Sequence, residues 1–271
     1  MIVAAEPSPK PKSTAPRWLA AAPWLFVALW SFGYTPTRIA VEYCEPIFML
    51  AVRYMGVLAI LVPAYLVVRP PLPRRGRDWL HLAIVGFLIQ GVYFTLTNVA
   101  IKLGASAAGL GIVLALQPIL VGLLAPRLAG EQVSRAVWIG LLLGLAGVAI
   151  VVLAKSSSGA TLAGIVTAFA ALVFITAGTL WEKRFGTSHH PIVANLVQAG
   201  VALAVALAAA APLETFKIDW SWPFAWSMLY LVVGNSIVAM TLMLAMVRYG
   251  QVTRASSLLF LVPPGSAFLA W

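Results

Sequence analysis

Long stretches without a single charge constrain this chain more than any motif does. Charge-free runs cover residues 18–37, 79–101, 103–126, 136–154, 156–181, 185–213 and 220–247. Each is near or above the ~20 residues that a helix needs to cross a bilayer. Of the 271 residues, 62% are apolar and only 10% charged, against roughly 25% charged in a soluble domain. A transmembrane β-barrel would instead alternate polar and apolar residues in runs of about ten, and that pattern is absent. With Arg53 placed inside the second run and a last run starting after Arg254, the sequence predicts nine helices. They cover 18–38, 46–68, 78–101, 104–126, 134–153, 160–182, 190–211, 223–247 and 251–271. The expected fold class is therefore an all-α integral membrane protein.

The chain also repeats itself at an offset of 145 residues. Pro46 and Ile47 recur as Pro191 and Ile192, Pro118 as Pro263, Gly33 as Gly178, and Leu114 and Leu116 as Leu259 and Leu261. The first five helices make one copy, residues 18–155, and the last four, in 156–271, match helices one to four of that copy. An odd number of crossings per copy turns the second copy upside down, and inverted repeats of this kind belong to secondary transporters. The partner of helix five would fall at 279–298, so the expected design is a 5+5 inverted-repeat bundle of ten helices, cut short at the C-terminus.

A net charge of +10 raises the question of nucleic acid, and the distribution of the charges answers it. With the N-terminus inside, thirteen Lys and Arg fall in inner segments, among them Arg74, Arg75, Arg77 and Arg248. Four fall in outer ones, namely Arg38, Lys102, Lys155 and Lys217. This is the positive-inside bias that orients helix bundles, and it implies a cytoplasmic N-terminus. The charges are spread over short loops rather than gathered in a patch, so nucleic acid is not an expected partner. Residues 1–17 read as a disordered cytoplasmic tail. The expected partners are the lipid bilayer and a small-molecule substrate, for a monomer or weak homodimer. With one cysteine, Cys44, and no Cys/His cluster at metal spacing, neither metal nor cofactor is expected.

The loops have no room for a soluble domain, so function must sit within the bundle. Trp220, Trp222 and Trp226 read as an interfacial belt. Polar residues at helical spacing are the informative minority. Trp30, Tyr34 and Thr37 align on the first helix; Gln90, Phe94 and Thr97 align on the third, beside Tyr93 and Asn98. Asn235 is the repeat mate of position 90, and Ser256, Ser257 and Phe260 form a small stripe on the ninth helix. Each residue alone is explained by helix-to-helix hydrogen bonding. The set is better explained by a cavity with polar groups and aromatic walls. Pro118, Pro263 and Pro264 occupy equivalent helices, either as paired hinges or as static kinks.

Arg53 is the one formal charge well inside a helix. Such a residue costs roughly 2.5–3.5 kcal/mol on insertion scales. It either faces the cavity to hold an anion such as a carboxylate or snorkels outward toward Glu42 and Glu45, and the proximity of those acids favours the second. The eight acids lie in the tail, loops or helix ends, so a carboxylate proton relay has no obvious carrier, and the three histidines read as solvated or capping residues. Gly140, Gly144 and Gly147 form a small-residue ridge on the fifth helix, expected to serve packing within the fold. Without embedded acids or paired histidines at catalytic spacing, a membrane enzyme is disfavoured. A passive channel or facilitator would share the polar lining.

The segment LGASAAGLGIVLALQPILVGLLAPRLAGE at 103–131, the Pro46-to-Arg53 spacing, and the SSLLFLVPPGSAFLAW run at 256–271 together carry a resemblance. In their order the chain resembles the EamA-type transporters of the drug/metabolite transporter superfamily. It departs from the pattern in having Gln198 where the second copy would repeat the arginine, and in doubling the proline at 264. The resemblance implies an inner-membrane carrier, often an exporter, working by alternating access around a cavity built mainly from helices 1, 3, 4, 6, 8 and 9. The aromatic residues, with Gln90, Asn235, Ser256 and Ser257 for a polar end, lead to an aromatic or bulky apolar amino acid as the expected substrate.

Overall fold

A computed structural model describes residues 17–105, 107–128, 134–155, 161–185 and 189–248. The expected ninth helix, with Ser256, Ser257, Phe260, Pro263 and Pro264, lies outside the described residues, as does most of the N-terminal tail. Eight helices are described. The first, α1, follows a short 3-10 turn and runs as two pieces, Ala22–Phe32 and Tyr34–Tyr43. After it come α2 (Pro46–Val68), α3 (from Gly76 to Lys102), α4 (Ala107–Ala115 and Gln117–Leu128) and α5 (Arg135–Lys155). The remaining three are α6 (Leu162–Phe185), α7 (Pro191–Ala210) and α8 (from Trp222 to Arg248). Six of these are long and apolar enough to cross a membrane, and among the described residues there is no β-sheet.

The first helix continues past its expected end at 38, so Arg38 sits on a helix rather than in a loop. Its break falls at Gly33, three residues before Pro36. A proline has no N–H to give to the carbonyl four residues back and its ring collides with that carbonyl. Gly33 meets the turn by sharing its own N–H between Leu29 O and Trp30 O, both at 3.2 Å. The same chemistry divides α4 at Leu116, just before Pro118, which is buried in the first turn of the second piece.

The 145-residue offset recurs in the backbone. Glu45 and His190, equivalent by that shift, are both extended residues (φ −63°, ψ 140° and φ −64°, ψ 134°) followed by a proline that opens a helix. Both α3 and α8 are interrupted by a π-helical segment, Gly86–Tyr93 in one and Leu231–Ala239 in the other. Such segments are rare and weaken the regular backbone ladder. Here side chains from packed helices meet carbonyls within them: Tyr54 Oη donates to Gln90 O (2.6 Å) and Asn195 Nδ2 to Ser236 O (2.8 Å). Helix α2 lies along α7, and α7 lies along the π segment of α3.

At one end of the bundle the loop after α7 is clasped onto the start of α2. Thr215 donates its backbone N–H (2.5 Å) and its hydroxyl (3.0 Å) to Glu45, which holds that carboxyl below the usual carboxylate range, the amide contributing most. Phe216, at φ 58°, sets its ring edge-on to Phe48 at 4.8 Å. Nearby, Cys44 is buried and paired through the backbone with Ile218. Burial first, then the negative charges of Glu214 and Glu45, push its thiol up to about 11. The thiolate is the reactive form, so a maleimide at neutral pH should label folded protein about a hundredfold more slowly than denatured protein. Equal rates would mean this end is open.

The ring exposure fits the expected belt: Trp220 and Trp222 are 73% and 82% exposed. The glycine ridge on α5 departs from expectation. Both Gly140 and Gly147 are exposed, and a Cβ added at either would meet nothing within 4 Å among the described residues beyond its own helix backbone, so no described helix packs on these two glycines.

Candidate functional site

A small cavity opens where α1, α2, α3 and α8 meet. Trp30 lines it from α1, Arg53 and Tyr54 from α2, Gln90 and Phe94 from α3, and Asn235, Ser236 and Met240 from α8. Both carboxamides are thus supplied by π segments, Gln90 by the first and Asn235 by the second. The cavity itself is small, about 10 Å³, room for roughly a single water. Pockets that enclose a drug-sized ligand are far larger, roughly 300–1,000 Å³.

Arg53 does not snorkel. It is only 5% exposed, its Nε donates to Ser236 Oγ at 2.6 Å, and its guanidinium carbon lies 5.3 Å from the centre of the Phe94 ring. Glu45, one of the two acids expected to draw it outward, is taken by Thr215 instead. Among the described residues no carboxylate forms an ion pair with Arg53; the ion pairs are Lys102–Glu214 at 3.7 Å and His189–Asp78 at 3.8 Å.

Its repeat equivalent, Gln198 on α7, is fully buried and accepts from Gln90 Nε2 at 2.9 Å. Each copy therefore projects one long polar side chain toward the other helix pair: Arg53 reaches α8, and Gln198 reaches α3. Among the described residues, Asn235 Oδ1 in the cavity wall is buried without a hydrogen-bond partner, as are Gln198 Nε2 and Asn195 Oδ1 outside it. Unsatisfied groups of that kind cost about 1–3 kcal/mol each in a protein interior.

Tyr93, Thr97 and Asn98 are not in this wall. Tyr93 is buried in a cluster with Val85, Ile89 and Ala171, against α6. Thr97 turns its hydroxyl back to Tyr93 O at 2.7 Å, and Asn98 ties α3 to the start of α2 through Pro46 O at 3.1 Å. Tyr34 lies on α1 just after the Gly33 break. The second helix, which the resemblance leaves out of the cavity, supplies two lining residues. Tyr54, Ser236 and Met240 were not singled out by sequence; Ser236 stands beside Asn235, and that adjacency was the available signal.

At the other end, His81 is not a solvated residue. Its ring stacks on Phe185 at 4.6 Å and 4°, and lies 5.7 Å from Trp181. Glu182, in the last turn of α6, is 8% exposed, and His190 caps α7 by accepting from Ile192 N. Among the described residues no three His, Cys, Asp or Glu gather as a metal site would require.

Residues 18–153 match the EamA-like transporter family. The chain is 25% identical over 248 residues to an uncharacterized transporter of Bacillus subtilis, YvbV, covering 88% of this chain and 77% of that protein. It is 26% identical over 249 residues to an uncharacterized inner membrane transporter of Escherichia coli K12, YedA, at 87% and 76% coverage. A crystal structure with 23% identity superposes with a TM-score of 0.75 over 93% of this chain and 86% of the other. That likeness shows the fold. The family match spans half the chain and coincides with a bundle of six apolar spans; the chain belongs to the EamA-like transporters of the drug/metabolite transporter superfamily, and is a multi-pass membrane transporter.

Proposed function

We propose that this protein is a secondary transporter that moves small metabolites, amino acids with aromatic or bulky apolar side chains foremost, outward across an inner membrane by alternating access. The observation that carries this reading is a polar cavity bounded by two π-interrupted helices at the same repeat offset, each contributing one carboxamide. An inverted 5+5 pair of halves would face that cavity alternately to each side. Its small size suits a state between the two openings. Trp30 and Phe94 offer ring surface to an apolar body, and Gln90 and Asn235 hydrogen bonds to a polar end. Pro118, with Pro263 and Pro264 as its counterparts, supplies the hinges, since α4 already breaks beside Pro118. The excess of Lys and Arg on one set of loops supports a cytoplasmic N-terminus.

Counterflow in proteoliposomes tests the proposal. Vesicles preloaded with unlabelled L-phenylalanine should accumulate the labelled amino acid transiently against its gradient, which an open pore cannot do. Replacing Gln90 and Asn235 together by alanine should slow that uptake at least about tenfold, as loss of two buried hydrogen bonds does. Unchanged uptake would remove the carboxamides from the site, and equilibration without overshoot would replace the carrier by a channel.

A further inference from the structure

We propose that Arg53 is the receptor for a single carboxylate, so that the ligand of this cavity is a monocarboxylate with an aromatic or apolar body. The inference rests on the transport reading above only in taking the cavity as the ligand site. A guanidinium has five N–H donors in a rigid fork. Here Nε is spent on Ser236 at 2.6 Å, and among the described residues no hydrogen bond or ion pair takes up the other four. The side chain nevertheless lines the cavity and is 5% exposed. A buried cation without a counter-charge is costly, and the arrangement persists only where something answers it. Arg and carboxylate meet as matched two-pronged groups, and an apolar membrane interior strengthens that meeting.

The rest of the wall narrows the class. Among the described residues, Arg53 is the sole formal charge in the lining. One positive charge is balanced by one negative, so a dianion such as a phosphate ester would carry an uncompensated charge into the cavity. Phe94 lies against the guanidinium face at 5.3 Å, leaving the edge of the fork for a planar anion. Trp30, 6.2 Å from Phe94, extends the aromatic surface on which the body of the ligand would rest. Asn235 Oδ1, buried without a donor, is placed to accept an N–H or O–H carried beside the carboxylate, as in an α-amino or α-hydroxy acid.

Ligand binding to the purified full-length protein, followed by tryptophan fluorescence, tests this without requiring transport. The probes are 3-phenylpropionate, L-phenylalanine, the neutral isostere 3-phenylpropanamide and the cation phenethylamine. Both carboxylates should bind saturably, and the amide and the amine about tenfold or more weaker. Arg53→Gln should erase the preference, and Arg53→Lys should restore part of it, because it keeps the charge and loses the fork. Gly200→Ala, outside the cavity wall, should keep the preference, and unfolding midpoints of the arginine variants close to its own guard against a folding defect. Equal affinity for acid and amide, an Arg53→Gln variant that still prefers carboxylates, or no saturable binding of either acid at millimolar concentration overturns the proposal. Carboxylate-selective binding without counterflow would defeat the transport reading alone; counterflow indifferent to Arg53→Gln would defeat this one alone.

Discussion

Replacing Glu214 by alanine should destabilise the protein by about 2–4 kcal/mol, because two backbone N–H groups lose their charged acceptor. The α2 helix begins with Pro46, which has no N–H, so its first free donors are Ile47 and Phe48. Glu45, at the N-cap position, makes no side-chain cap; its carboxylate is turned to Thr215. Glu214, far along the chain, takes its place. It accepts from Ile47 N at 3.0 Å and Phe48 N at 2.6 Å, with its side chain fully buried. A carboxylate at a helix N-terminus also meets the positive end of the helix dipole. The Lys102 contact adds little, since that side chain is 49% exposed and the distance is 3.7 Å. The expected order in thermal unfolding of detergent-solubilised protein is therefore clear. Glu214→Ala should fall furthest, Glu214→Gln about half as far because one oxygen still accepts, and Lys102→Ala by less than about 1 kcal/mol. If the lysine variant loses as much as Glu214→Ala, the ion pair rather than the cap holds this end together.

That cap was hidden from sequence because it links residues far apart in the chain, 47 with 214, and only the folded loop brings them together. A loop acid reads as solvated unless its partners are known. Local patterns were more open. Charge-free length located α7, and apolar length with Arg53 admitted inside it located α2, each to within a residue or so, because lipid leaves a backbone no partner but its own helix. Gln90 and Asn235 could be paired by the repeat offset and do share one cavity. Tyr93 could not be separated from Gln90 and Phe94, because the π segment shifts the angular order on which helical spacing depends. Arg53 was drawn outward by the acids nearest to it in sequence, whereas the deciding partner, Ser236, is 183 residues away. The end of the first helix was misplaced at 38 because the charge-free run stops at Arg38, whereas the helix carries that charge and continues to Tyr43.

Gly86→Ala should produce the second large loss, about 3 kcal/mol, at the upper end of what overpacking costs, together with loss of transport. A Cβ built on Gly86 would stand 2.6 Å from Gln198 Cα and 2.9 Å from Gln198 O. Those are backbone atoms of a helix packed along its length, so they cannot swing aside as a side-chain tip can. The added methyl must drive α3 from α7 where the Gln90–Gln198 hydrogen bond, 2.9 Å, crosses between them, and it does so at the first residue of the π segment that carries Gln90 into the cavity wall. The neighbouring glycines grade the effect. Gly91→Ala would meet Val205 side-chain atoms at 3.1 Å, a contact that a small rotation relieves, and should cost about 1 kcal/mol. Gly200→Ala, in α7, meets nothing within 4 Å and should be neutral or gain up to about 1 kcal/mol of helix propensity. Unfolding midpoints and counterflow rates for the three variants separate the causes: stability and transport should fall together in Gly86→Ala and neither should fall in Gly200→Ala. A Gly86→Ala protein as stable and active as wild type would mean that the two helices part freely at this contact, and that the π segment is not held in place by Gln198.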